Sequence, residues 1–157
     1  MSQLNQFGQL IGDALPDWQP RPYPQRVVLE GQYCRLEPLS LQHADALFAA
    51  HQQAADTRNW TWLLREPEGS VEEYRQWIAG VESLQDPLHF AVIDIPTQQP
   101  VGSLALMRIE PNHGVMEVGH VHFSPLLSRT PASTEAQWLL MRYAFETLGY
   151  RRYEWKC

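Results

Sequence analysis

The run Met116-Glu117-Val118-Gly119-His120-Val121-His122-Phe123 brings one carboxylate and two imidazoles close together in sequence. Carboxylates and imidazoles are the groups that most often move protons in catalysis. At the strand period of two, Glu117, Gly119, Val121 and Phe123 share one face and Val118, His120 and His122 the other. His-x-His on one strand face is also a spacing that two zinc ligands adopt, with His113 in the preceding turn as a third. No cysteine or carboxylate stands at a matching distance to strengthen that metal reading, and none is expected to be held there.

Two further groups carry chemical potential. The segment Thr57-Arg58-Asn59-Trp60-Thr61-Trp62-Leu63 is a loop unusually rich in aromatic rings. Arg129 precedes Thr130-Pro131, a capping residue and a helix-opening proline, with Ser133 and Thr134 in the first turn. The thiols Cys34 and Cys157 lie far apart without a Cys-x-x-Cys arrangement, and read as two free, buried, small hydrophobes in a reducing compartment.

These groups need elements to position them. Leu4, Phe7, Leu10, Ile11, Ala14 and Leu15 predict a short helix over 3–15, lying on the main body, and four prolines from Pro16 to Pro24 predict an extended connector. Val27 to Leu39, alternating around Gly31, predicts a strand pair or a kinked strand ending at Pro38. Ser40 caps a helix running to about Ala55, and Ser70 with Glu73 forms a capping box on a second helix carrying Val71, Tyr74, Trp77, Ile78 and Val81. From Leu88 the period becomes two, and three runs separated by short turns predict an antiparallel meander ending at Phe123. A helix from Thr130 to Leu148, closing on Gly149, carries apolar residues on more than one face and is expected to be largely buried. Tyr153, Trp155 and Cys157 then alternate with charged residues as a strand still in progress, which implies a fragment or a sheet completed by another chain.

The 157 residues form one folding unit, an N-terminal helix and proline-rich arm (1–26) followed by the main domain (27–157). With 44% hydrophobic and 19% charged residues and no apolar run of membrane-spanning length, the composition excludes a transmembrane helix. A net charge of −6 without a basic cluster argues against nucleic acid as a partner. The N-terminus does not read as a signal peptide, so the expected location is cytoplasmic.

The order of elements now meets specific residues. Gly31-Gln32-Tyr33-Cys34-Arg35-Leu36-Glu37-Pro38-Leu39 resembles the opening of the GNAT superfamily of acyl-CoA N-acyltransferases, in its RimJ/RimL-like branch. Val101-Gly102-Ser103-Leu104, Met116 to Val121 and Thr134-Glu135-Ala136 resemble its third and fourth strands and the start of its main helix, and Leu148 to Glu154 the approach to its fifth strand. The resemblance covers about residues 27–157. It implies an α/β fold with a mixed, mainly antiparallel sheet and helices on both faces, here lacking the last helix and strands.

The same resemblance implies acetyl transfer from acetyl-CoA to a primary amine, a protein N-terminus or a small amine. The backbone of Val121, His122 and Phe123 would hold the acyl-pantetheine end, and Ser128, Arg129, Thr130, Ala132, Ser133 and Thr134 the diphosphate. Glu117 or His120 would be the base, and Trp60 and Trp62 would border the acceptor. Ser128, Pro131 and Ser133 stand where the family's pyrophosphate loop usually has Arg or Gln and two small residues, and Pro131 removes an amide. A noncatalytic binding module of the same fold is therefore an alternative, as is a small metal-binding sheet protein using His120 and His122. The strand unfinished at Cys157 leads to the expectation of a homo-oligomer without activity on its own.

Overall fold

The computed structural model describes residues 3–156. Residues 3–15 differ from the helix expected. β1 (Gln3–Leu4) and β2 (Leu10–Ile11) pair antiparallel, with Leu4, Phe7 and Leu10 exposed rather than packed on the body. The cause is local: the Asn5 carboxamide oxygen accepts the N–H groups of Phe7 and Gln9, and Gly8 takes φ +77°, so side-chain hydrogen bonding diverts the backbone into a turn. The proline-rich segment 16–26 carries neither helix nor strand and lies along the body. Trp18 Nε1 donates to Asn112 O at 2.8 Å, and Gln25 N–H donates to the Tyr143 hydroxyl at 2.9 Å.

β3 (Leu29–Glu30) and β4 (Cys34–Pro38) form the hairpin broken at Gly31. Past Ser40 the chain makes a 3₁₀ turn (Leu41–His43) before α1 (Ala44–His51), which ends four residues short of Ala55. In α2 (Val71–Val81) the Ser70 hydroxyl accepts Glu73 N–H at 3.2 Å, while the Glu73 carboxylate reaches Gly69 N–H rather than that of Ser70. The meander is β5 (Leu88–Asp94), β6 (Pro100–Glu110) and β7 (Val115–Phe123). α3 (Pro131–Arg142) continues as a π-helical turn (Tyr143–Thr147) and closes on Gly149 at φ +71°. β8 (Arg152–Glu154) follows. Cys157 lies outside the described residues.

The six strands β3 to β8 neighbour one another in sequence order, all antiparallel except β7 with β8, which α3 joins as a parallel crossover. Leu88, Phe90 and Val92 of β5 face α3, while Ala91 and Ile93 face α1 and α2. The sheet thus has helices on both faces, which is why β5 is buried along nearly its whole length. The helix expected to be largely buried is buried on one side only. Ala132, Ala136, Leu139 and Leu140 are buried, but Trp138, Met141 and Phe145 lie exposed on its outer side. Cys34 is a free, buried thiol, pushed up to about 12 by burial and then by the Glu135 carboxylate beside it.

Candidate active site

The regular period of two breaks inside β7. Leu106 stands opposite Val118 and Ala105 opposite Gly119, yet Ser103 stands opposite His122, so β7 carries one residue more than β6 across this interval. The extra residue is a β-bulge, with His120 in the left-handed region at φ +49°. Gly119 beside it has no room for a side chain, because a Cβ there would collide with the sulfur of Met107. The bulge resets which side chains share a face. Met116, Val118, Val121 and Phe123 all turn to the α3 core, and Glu117 and His122 belong to the opposite face with Ser103. The alternation expected from sequence, which grouped Val121 and Phe123 with Glu117, is therefore corrected beyond Gly119.

On that opposite face lies a cavity of about 240 Å³, lined by His89, His120, His122, Ser103, Trp77 and Arg65 among others. Its imidazoles belong to a connected aromatic layer. The His51 and His122 rings stack at 3.7 Å with 8° between planes, Trp60 meets His122 edge-on at 4.1 Å, and the centroids of His89 and His120 are 5.1 Å apart. Arg65 sits over Trp77 at 3.7 Å from the ring centroid, and its Nη1 pairs with Glu68. His51 and His89 are buried, which lowers each to about 4, and burial followed by the neighbouring His51 and Arg65 lowers His122 to about 2. His120 is half-buried and lowered from its ordinary value by burial and then by Arg65. All four are neutral imidazoles at pH 7, each with a ring nitrogen able to accept a hydrogen bond.

The structure brings together only part of what sequence singled out. His120 and His122 line the cavity. Glu117 is buried, not a solvent-facing edge carboxylate. It lies on β7 before the bulge, away from the cavity lining, with its Oε2 3.4 Å from both Arg108 Nε and Lys156 Nζ. Trp60 backs the cavity through His122, whereas Trp62 is 91% exposed and packs on neither core nor cavity. His113 sits in the turn at the other end of β7. Among the described residues no group of three or more His, Cys, Asp or Glu side chains is placed to hold a metal ion, so His120 and His122 lack the third ligand their spacing suggested.

A second surface lies on the far side of β7. β8 pairs only with Val115–Glu117, and among the described residues the edge from Val118 to Phe123 carries no strand partner. That edge leads into the turn 124–130, where Ser124 Oγ donates to Val101 O at 2.5 Å and Ser128 N–H to Ser124 O at 2.9 Å. Arg129 follows, exposed and left-handed at φ +63°, with no ion pair among the described residues. Thr130 caps α3 by accepting Ser133 N–H at 3.3 Å, and Ser133 Oγ donates to Thr130 O at 2.7 Å. Pro131 takes the first helical position and the cap occupies the Ser133 amide, so Ala132 N–H is the first-turn donor left open.

Sequence reasoning singled out Glu135 only as part of a motif. Its carboxylate accepts the N–H groups of Gln32, Tyr33 and Cys34 at 2.8, 2.6 and 2.8 Å, fixing the start of α3 to the β3–β4 hairpin. Arg65, His51 and His89 were also passed over. His51 gave a signal as a histidine on the apolar face of α1, but nothing in the sequence places it against His122.

The structure is thus a mixed α/β fold, a mixed sheet with helices on both faces, a bulged β7 and a capped helix behind its free edge. The Acetyltransferase (GNAT) domain pattern matches residues 34–157, and the chain belongs to that family. Among solved structures, a GCN5-related N-acetyltransferase from Brucella melitensis is 48% identical with a TM-score of 0.87, over 90% of this chain and 64% of that one. This chain thus spans less than two thirds of the Brucella protein. A probable acetyltransferase of the GNAT family from Chromobacterium violaceum is 33% identical with a TM-score of 0.81, over 92% of this chain and 72% of that one. A Vibrio cholerae structure named for ribosomal-protein-serine acetyltransferase activity shares the fold at 21% identity and a TM-score of 0.71, over 83% of this chain and 74% of that one. No protein of curated function matches the chain. Among the described residues no helix is long and apolar enough to cross a membrane.

Proposed function

We propose that this protein transfers an acetyl group from acetyl-CoA to a primary amine, by direct attack within a complex of both substrates. The observation that carries the proposal is the free edge of β7 from Val118 to Phe123, which connects the His120 bulge to the turn before α3. Backbone groups of Val121, His122 and Phe123 on a strand without a partner suit the acyl-pantetheine end. Arg129, Ala132 N–H and the positive end of α3 suit the diphosphate, with the Ser128, Thr130, Ser133 and Thr134 hydroxyls around them. Pro131 removes one of the open first-turn amides, so on this proposal Ala132 N–H and the Arg129 guanidinium carry the contact.

His120 is the base on this proposal. It lines the cavity where an acceptor would sit, and its lowered proton affinity keeps it neutral at pH 7. The amine gives its proton to His120, directly or through water, its nitrogen bonds the thioester carbon, and the carbon–sulfur bond breaks to release the thiolate of coenzyme A. Glu117, the other candidate, faces Arg108 and Lys156 outside the cavity and serves the sheet. The acceptor is a protein N-terminus or a small amine, and the cavity of about 240 Å³ suits a small amine. A cytoplasmic location and a homo-oligomer belong to the same proposal, the latter supported by the exposed Leu4, Phe7 and Leu10 of the β1–β2 arm.

Thiol release from acetyl-CoA, followed with a chromogenic disulfide in the presence of a panel of primary amines, tests it. Amine-dependent release is expected. Release that no amine stimulates, in a protein that binds acetyl-CoA, would support the noncatalytic module instead.

A further inference from the structure

The charge inventory of the cavity on the α1–α2 face narrows the acceptor. Among the described residues, Arg65 is the only formally charged side chain that lines it, and no Asp or Glu does. Two carboxylates in the adjoining segments already have partners. Glu68 pairs with Arg65 Nη1, and Asp86 accepts the N–H groups of Arg108 and Ile109 at 2.9 Å each. Glu68 takes one nitrogen of the guanidinium and Tyr74 lies beside it, its ring centroid 5.7 Å from the guanidinium carbon, which still leaves N–H groups of the five-donor fork for a ligand. Around it the walls are apolar: Leu63, Trp77, Val81 and Pro87, with Leu64 at the mouth 94% exposed.

A polyamine or aminoglycoside would have to leave a second ammonium group in this cavity unpaired beside a guanidinium, which costs far more than the apolar contacts return. A carboxylate beside the reacting amine instead meets a planar donor fork whose central carbon lies 3.7 Å from the Trp77 ring centroid. We infer that the acceptor is a free α-amino acid with an apolar side chain, its carboxylate on Arg65, its side chain against Leu63, Trp77 and Val81, and its amine toward His120. The inference rests on the acetyl-transfer proposal for the chemistry, but the recognition stands on the cavity alone.

Direct binding separates the two. The purified protein is titrated with L-leucine, L-leucinamide and spermidine, each read by tryptophan fluorescence, since Trp77 lines the cavity. L-leucine is expected to bind at least tenfold tighter than L-leucinamide, which mimics a peptide N-terminus, and spermidine not to compete with it. Arg65→Gln is expected to abolish the leucine over leucinamide preference, with a near-native thermal unfolding curve as the folding check and the equally uncharged Arg65→Met as the substitute variant should Gln unfold the loop. Equal binding of leucine and leucinamide, tighter binding of spermidine, or no leucine binding would overturn the inference. Acetyl-CoA binding and amine-stimulated thiol release are measured separately, so either can fail while the other holds.

Discussion

The Cys34 backbone N–H donates to Glu135 Oε2 at 2.8 Å across 101 positions of sequence. Gln32 and Tyr33 donate to the same carboxylate, so three successive amides of one hairpin converge on a single side chain in the first turns of α3. Burial raises this carboxyl, but the three amides outweigh burial and hold it below the ordinary glutamate value. A Cβ at Gly31 would run into the Glu135 carboxyl, so the close approach of hairpin and helix depends on glycine there. The helix start that faces the proposed diphosphate site is thus set by a structural residue, not by the loop alone.

Glu135→Ala should therefore destabilise the protein by about 2–4 kcal/mol in urea unfolding, the loss of several hydrogen bonds to a charged group. Glu135→Gln should cost less. The same environment leaves Cys34 inert, and labelling by a thiol reagent at pH 8 should appear at this residue only when the protein unfolds.

The buried histidines make acid sensitivity a second expectation. His51 and His89 are lowered to about 4 in the folded protein against about 6.5 unfolded, so between those values the unfolded chain binds more protons. Their contribution to stability is complete above pH 6.5 and is lost as pH falls toward 4, with His122 continuing the loss below that. The unfolding free energy should drop by about 1–2 kcal/mol per histidine between pH 7 and pH 5. Replacing His51 by Phe should flatten that slope in a urea-midpoint series, and an unchanged slope would remove His51 from the account.

His120→Gln should lower turnover by about 10²-fold with acetyl-CoA affinity nearly intact, whereas Glu117→Gln should leave turnover within a few-fold and act on stability. In the wild-type protein the turnover profile should fall on acidification with an apparent pKa below 6.5, following the lowered His120. A profile that His120→Gln does not alter, or a large loss of turnover in Glu117→Gln, would return the base to Glu117 or to water.

Most of the frame was legible because long elements obey strong periodicities. The meander from Leu88 to Phe123, the capped start of α2 at Ser70, the Thr130-Pro131 start of α3 and the Gly149 stop are local signals that tertiary packing reinforced. Three features were not legible, each for a physical reason. Residues 3–15 offer an apolar helical spacing, but Asn5 and Gly8 favour a turn, and Leu4, Phe7 and Leu10 stay exposed rather than buried against the body. The bulge at His120 inserts one residue into a regular alternation, and only the pairing with β6 reveals it. The stacking of His51 on His122 joins α1 to β7 across the fold, a contact that no sequence spacing encodes. The candidate site was therefore legible as a strand and a helix start, while the cavity behind His120, built from five segments of chain, was not.

The β1–β2 arm gives a prediction about assembly. Phe7 is 77% exposed at its tip, and Leu4 and Leu10 flank it. Light scattering at micromolar concentration should report more than one copy, and Phe7→Ser with Leu10→Ser should shift the protein toward the monomer. A wild-type monomer would contradict the proposed oligomer without touching the site.

The central claim is that the free edge of β7 and the start of α3 hold acetyl-CoA, and calorimetric titration of the protein with acetyl-CoA tests it most directly. The account predicts one site per chain, weakened about tenfold or more by Arg129→Glu, on the order of the 1.4 kcal/mol of one charge-assisted contact. Acetyl-CoA binding that Arg129→Glu leaves unchanged, or no binding at all, would contradict it.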